Sequence, residues 1–192
     1  INSIQCINDI HSIKINDFVT SELLINGKLF LSSFFWKNRY GAKQNIFKCY
    51  SLSDFSVIKE IDMKNNSINQ IFPYTNIKGK KNIILFSDKS ILVYNVDKLD
   101  RASKKIETEE ECMNGCVIEN NNGRDLFCVA HKNKITLYDL NENIIYDIFN
   151  SFKYKNRYIG SIISWNNNYI IFSDSDKNLL IIYDIKIKKF EY

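Results

Sequence analysis

Short runs of β-branched and aromatic residues alternate along this chain with clusters of polar residues, a pattern that predicts strands rather than helices. The clearest case is IIFSDSDKNLLIIYDI at 170–185, two apolar runs around a polar insert, which reads as a β-hairpin. Its ending has the form apolar, any, apolar, Tyr, then Ser, Asn or Asp, then apolar. The same form occurs in FKCYSL (47–52), ILVYNV (91–96) and ITLYDL (135–140) as well as LIIYDI (180–185). The tyrosines Tyr50, Tyr94, Tyr138 and Tyr183 lie 44, 44 and 45 residues apart, which marks an internal repeat.

The rest of each unit follows the same period. An apolar run precedes each tyrosine-bearing run: LFLSSF (29–34), IILFS (83–87), LFCVA (126–130) and YIIFS (169–173). Polar turn residues separate the two runs, as in Asp88-Lys89-Ser90 and His131-Lys132-Asn133-Lys134. A shorter strand is predicted upstream at 68–72, 115–119 and 160–165, and a weaker fourth at 57–61, 105–108, 144–148 and 189–192. Four strands of about five to six residues fill roughly half of such a period, which leaves no room for a useful helix. An all-β fold is therefore expected, with units at about 20–62, 66–108, 112–150 and 158–192.

A four-stranded repeat of this length, its third strand ending in aromatic-Asp-apolar, resembles the WD-repeat β-propeller family. Phe172-Ser173-Asp174-Ser175-Asp176-Lys177 followed by Leu180 to Ile185 looks like that family's hairpin and its terminal Trp-Asp. Here tyrosine replaces tryptophan in every unit. The Asp of the dipeptide is matched at Asp139 and Asp184 but is Asn95 and Ser51 in the other two units. The Gly-His ahead of the first strand is missing, so the hydrogen-bonded network of that His and a turn Asp is expected to be absent or rebuilt. The resemblance covers about residues 20–192 and implies about four blades of four antiparallel strands. The start at Ile1 and the end at Tyr192, inside an outer strand, lead to the expectation of part of a larger, seven-bladed ring. A closed four-bladed ring is the alternative. Residues 1–19 then form a closing strand or the end of a preceding blade.

Composition adds limits. Of the 26 basic residues 22 are Lys and 4 are Arg, scattered among abundant Ile and Asn, so the net charge of +4 does not mark a nucleic-acid surface. No apolar run approaches the roughly 18 residues that cross a bilayer, and no signal-peptide pattern opens the chain. Five cysteines at irregular spacing, Cys6, Cys49, Cys112, Cys116 and Cys128, read as reduced thiols of an intracellular protein, cytoplasmic or nuclear.

Candidate chemistry is sparse. With two histidines, six glycines and no nucleophile elbow or phosphate loop, the chain is expected to be no enzyme and to use no cofactor. Cys112, Cys116, Cys128 and His131 approach the spacing of a structural zinc site. The repeat, however, places Cys116 and Cys128 in strands, where cysteine serves as a small buried hydrophobe, and no metal is expected. Asp174 and Asp176 read as turn formers, and the charged stretch at 100–111 as a solvated loop at a blade's outer edge.

The long insert with Trp36, Arg39 and Tyr40 has the composition of an interface hot spot, against the simpler reading that Trp36 packs its own loop. Lys153 and Arg157 mark a second basic and aromatic loop. The resemblance implies a non-enzymatic scaffold that binds other proteins as one subunit of a hetero-complex. A propeller that binds phosphoinositide or another ligand through its basic loops is the first alternative, and a propeller enzyme with a central site the second.

Overall fold

The computed structural model describes residues 17–36, 43–64, 66–76, 78–121, 124–132, 134–139, 144–150, 159–174 and 179–191. Among these residues every regular element is a strand, and the strands form four antiparallel sheets of four. The first sheet holds β1 (Phe18–Ile25), β2 (Lys28–Trp36), β3 (Lys43–Ser51) and β4 (Val57–Lys64). The second holds β5 (Ile68–Thr75), β6 (Lys81–Ser87), β7 (Ser90–Asn95) and β8 (Lys104–Glu107). The third is β9 (Asn114–Asn121), β10 (Arg124–Ala130), β11 (Lys134–Asp139) and β12 (Ile144–Asn150). The fourth is β13 (Ile159–Trp165), β14 (Tyr169–Asp174), β15 (Leu179–Asp184) and β16 (Lys189–Glu191). Within each sheet the spatial order is the sequence order, so each sheet is a simple meander.

Local chemistry sets the turns. β1 and β2 join through Asn26-Gly27, both at positive φ (52° and 66°), the two-residue hairpin turn whose twist matches its strands. Asn166 and Asn167 take the same left-handed region between β13 and β14. Ser87 and Ser90 face each other across the Asp88-Lys89 turn, with their hydroxyls 2.7 Å apart.

Strand alternation then builds three cores between chain-consecutive sheets. On the second sheet Ile83, Leu85, Leu92 and Tyr94 meet Phe30, Phe47 and Cys49 of the first. The intervening residues Ile84, Phe86, Ile91 and Val93 point the other way, onto Phe127, Val129 and Tyr138 of the third. On the third sheet Cys116, Cys128, Ile135 and Leu137 meet Ile162, Ile170, Phe172, Ile181 and Tyr183 of the fourth. The second and third sheets thus each pack a rear face on their predecessor and a forward face on their successor, and the first and fourth take part by their forward and rear faces respectively. The tyrosines of the second to fourth units all lie on rear faces, where burial raises the pKa of Tyr94, Tyr138 and Tyr183.

The Ser, Asn or Asp that follows the tyrosine has its own task. The side chains of Ser51, Asn95 and Asp184 each accept the backbone N–H two residues on, from Ser53 (3.2 Å), Asp97 (2.9 Å) and Lys186 (2.8 Å). These three residue types share the short polar side chain that closes such a turn.

The first strand of each sheet lies beside the first strand of the next, in the order β1, β5, β9, β13. Two elements differ from the sequence expectation. β2 runs through Phe35 and Trp36, which pair with Gln44 and Lys43, so Trp36 belongs to a strand and not to a loop. Asp174 is the buried last residue of β14, paired with Leu179, rather than a turn residue. Asp176 lies outside the described residues, as do residues 1–16 of the expected closing segment at 1–19, whose last residues Phe18 and Val19 belong to β1.

Candidate interaction surface

The first sheet has the longest hairpin, with nine residues in each of β2 and β3. Along the forward face of β2 the side chains are Phe30, Ser32, Phe34 and Trp36. Phe30 and Ser32 are buried, Phe34 is half-buried, and Trp36 is 54% exposed. The hairpin therefore carries its apolar stripe out from the core into solvent. Phe18, opposite Phe34 in register, stacks on it with ring centroids 5.2 Å apart. Trp36 meets Phe34 edge-on at 5.9 Å. Lys43 places its Nζ 4.2 Å from the centre of the Phe34 ring and donates to Ser67 Oγ at 2.9 Å, tying the hairpin to the start of the second sheet.

The result is a platform of three aromatic rings braced by one cation. Phe18 and Trp36 keep most of their surface in water, and large rings held at fixed positions contact a partner at little entropic cost. Of the residues singled out in the sequence, only Trp36 falls in the platform. Arg39, Tyr40, Lys153 and Arg157 lie outside the described residues. Phe18, Phe34 and Lys43 were missed. The alternation of Phe34 with Trp36 was a signal for one of them, whereas Phe18 joins only through cross-strand register.

A second concavity, of about 600 Å³, follows the first strands of the last three sheets. Gln70, Asn114, Ser161 and Ser164 supply its polar groups, Phe72 and Ile163 its apolar ones, and among the described residues no acidic, basic or histidine side chain lines it.

A third, of about 300 Å³, is charged and lies where the second and third sheets meet. There Lys134 is within 4 Å of Glu109 (3.5 Å), Glu110 (3.8 Å) and Asp147 (3.9 Å). Thr136 Oγ1 donates to Asp147 at 2.7 Å. One cation offsets only one of the three carboxylates, and the excess charge is left to water, since the Glu109 and Asp147 side chains are 91% and 41% exposed.

The chain matches no protein-family model, and a search of curated proteins returns no match. What the residues can do must therefore be read from their positions. His131 is buried. Its Nδ1 lies 3.0 Å from the Glu111 carbonyl oxygen and its Nε2 lies 3.3 Å from the Tyr138 hydroxyl. Desolvation lowers its pKa, so the ring is neutral, with Nδ1–H donating to the carbonyl and Nε2 accepting from the tyrosine. In the second unit the turn carboxylate of Asp88 accepts the Ser67 N–H at 3.0 Å, and its carbonyl accepts the Cys112 N–H at 3.1 Å. Both turns are thus tied by hydrogen bonds to the segment ahead of a first strand.

The residues of the zinc-like spacing are split. Cys112 packs between the second and third sheets, Cys116 and Cys128 between the third and fourth, and His131 is engaged as above. Among the described residues no group of three or more metal-ligating side chains forms. Nor is there, among those residues, a helix long and apolar enough to cross a membrane.

Proposed function

We propose that the four sheets are consecutive blades of a β-propeller built on a divergent WD-like repeat, part of a larger, seven-bladed ring. In this reading the protein is a non-enzymatic scaffold that binds other proteins within an intracellular hetero-complex. The sheet order supports the ring: each sheet packs face to face on the next in sequence, and the first strands β1, β5, β9 and β13 lie side by side in that order. The observation that carries the binding role is the platform of Phe18, Phe34 and Trp36, held by Lys43 on a long hairpin above a rigid core. Such a surface suits a protein partner that presents apolar side chains. The unpaired thiols of Cys49, Cys112, Cys116 and Cys128 support a reducing compartment.

The test is a comparison of native complexes. Wild-type protein and the Trp36→Ala variant, each expressed at its natural level, are isolated under identical conditions and their stoichiometric partners quantified. A partner retained by the wild type and reduced at least roughly tenfold by the variant is expected, since hot-spot residues contribute about 2 kcal/mol or more. Absence of a stoichiometric partner, or a partner indifferent to Trp36→Ala, would overturn the reading.

A further inference from the structure

The forward faces of the second to fourth sheets can be compared position by position, counting from the repeated tyrosine and its cross-strand partner, Ile83 for Tyr94, Phe127 for Tyr138 and Ile170 for Tyr183. The pair Ile84 and Val93 of the second sheet corresponds to Cys128 and Leu137 of the third and to Ile171 and Ile182 of the fourth. Likewise Ile91 corresponds to Ile135 and to Leu180, each facing the strand before it at the same distance from the repeated tyrosine.

Their surroundings differ sharply. Ile91 and Ile135 are fully buried, whereas Leu180 is 70% exposed. Ile84, Cys128 and Leu137 are fully buried, whereas Ile171 and Ile182 keep part of their surface in water. On the first strands Cys116 is buried and its counterpart Ile163 is 56% exposed. The fourth sheet therefore presents Ile163, Ile171, Leu180 and Ile182 as one apolar face, made of the residue types that are covered in the sheets before it.

What covers those earlier faces is the same in all three cases: the next four-stranded sheet in the chain, applied by its rear face. We propose that the forward face of the fourth sheet is covered by a fifth sheet of the same repeat, carried on the same polypeptide and presenting the repeated tyrosine on its rear face. A second copy of the chain fits less well. The equivalent rear face of the first sheet, with Leu31, Ile46 and Tyr50, is already buried. This inference deepens the ring reading above and is independent of the Trp36 platform.

The experiment places a reporter on the face. Leu180→Cys and, separately, Ile163→Cys are introduced into the gene at its own locus, so that the polypeptide is made at its natural length. Maleimide labelling is then followed by intact mass on purified protein, beside the 192-residue chain carrying the same changes. Ile187→Cys serves as control, because it lies in the β15–β16 turn at the position of the exposed Lys98 in the covered second sheet. Fast labelling at positions 180 and 163 is expected in the 192-residue chain. In the natural-length polypeptide the rate should fall by about a hundredfold or more, as for a buried site that reacts only through local opening, with position 187 unchanged. Equally fast labelling in both would overturn the proposal. Protection lost on dilution, or on removal of other proteins, would also overturn it by assigning the face to a second copy or to a separate partner. If the face stays open while the Trp36-dependent partner is retained, the fifth sheet fails and the scaffold reading stands.

Discussion

Gln70 on β5 and Gly115 on β9 are joined across the seam between the second and third sheets, the side-chain oxygen of Gln70 accepting the Gly115 N–H at 3.0 Å. The same device recurs along the line of first strands. Thr20 Oγ1 donates to the Ile68 carbonyl at 3.0 Å, Ser21 Oγ accepts the Ile71 N–H at 3.1 Å, and Ser164 Oγ donates to the Val117 carbonyl at 2.9 Å. Each first strand is the edge of its sheet, with one side of its backbone unpaired by any strand. Polar side chains of the adjacent first strand meet those groups and so satisfy the edge without fusing the sheets. Gln70→Leu removes one of the two acceptors of the Gly115 N–H, the other being Asn114 Oδ1 at 2.7 Å, and should cost about 0.5–1.5 kcal/mol, read as a lower urea midpoint with an unchanged slope. A midpoint equal to wild type would show that the seam bond carries no stability.

Gly115 is required by space as well. A Cβ there would run into the Phe86 ring and lie 2.6 Å from the Cys128 carbonyl oxygen. Phe86 is fully buried in the core between the second and third sheets. Gly115→Ala should destabilise by about 1–3 kcal/mol through overpacking, whereas Gly27→Ala meets no atom within 4 Å and is opposed only by its positive φ. Calorimetric midpoints of the two variants would separate the two causes, with Phe86→Leu relieving only part of the Gly115→Ala penalty, since the Cys128 carbonyl oxygen stays in place.

The residue after Tyr50, Tyr94 and Tyr183 should tolerate only another short acceptor. Asn95→Ala and Asp184→Ala each remove a turn-closing bond and are expected to lower stability by about 1 kcal/mol. Asn95→Asp and Asp184→Asn keep the acceptor and should stay near wild type. Urea denaturation of the four variants tests the pattern, and equal losses for the conservative and alanine changes would count against it.

The sign of a pH effect follows from His131. Its folded-state pKa lies below the ordinary value of 6.5 because burial disfavours the charged ring. The unfolded chain therefore takes up a proton first as the pH falls. The contribution of His131 is full above about pH 6.5 and is lost as the pH drops from there through the folded pKa. The urea midpoint should decline between pH 7.5 and about pH 5, and His131→Asn should flatten that decline while lowering the plateau. An identical slope in the variant would assign the decline to other groups.

The period of the repeat was legible because the tyrosine and its following Ser, Asn or Asp answer two local demands, a rear-face filler and a turn acceptor. Four strands per unit were legible for a similar reason, since alternation and turn residues act within a few positions. The end of β2 was not. Trp36, Arg39 and Tyr40 form one polar-aromatic run in the sequence, and nothing local reveals that Trp36 still pairs with Lys43. The seam bonds were equally hidden, because Ser21 and Ile71, or Gln70 and Gly115, stand 45 to 50 residues apart and meet only once the sheets are stacked. Phe18 entered the platform by the same route, through register with Phe34.

The cysteines supply a last prediction, on reactivity. Cys49, Cys112, Cys116 and Cys128 are all buried, and burial raises the pKa of Cys49, of Cys112 (to about 11) and, further, of Cys128 beside Cys116. The thiolate is the reacting species, so burial opposes modification of all four thiols, and the raised pKa adds to this at Cys49, Cys112 and Cys128. At pH 8 a shift of the Cys112 thiol from 9.0 to about 11 alone lowers its thiolate fraction by about a hundredfold. Labelling of these four thiols should therefore require opening of the sheet interfaces. Its rate should rise with urea in parallel with unfolding, and together for Cys116 and Cys128, which are cross-strand partners in one core. Peptide-resolved mass spectrometry after timed alkylation measures this. Fast modification of Cys128 in the native state, with Cys116 spared, would contradict the shared burial on which the interface between the third and fourth sheets depends.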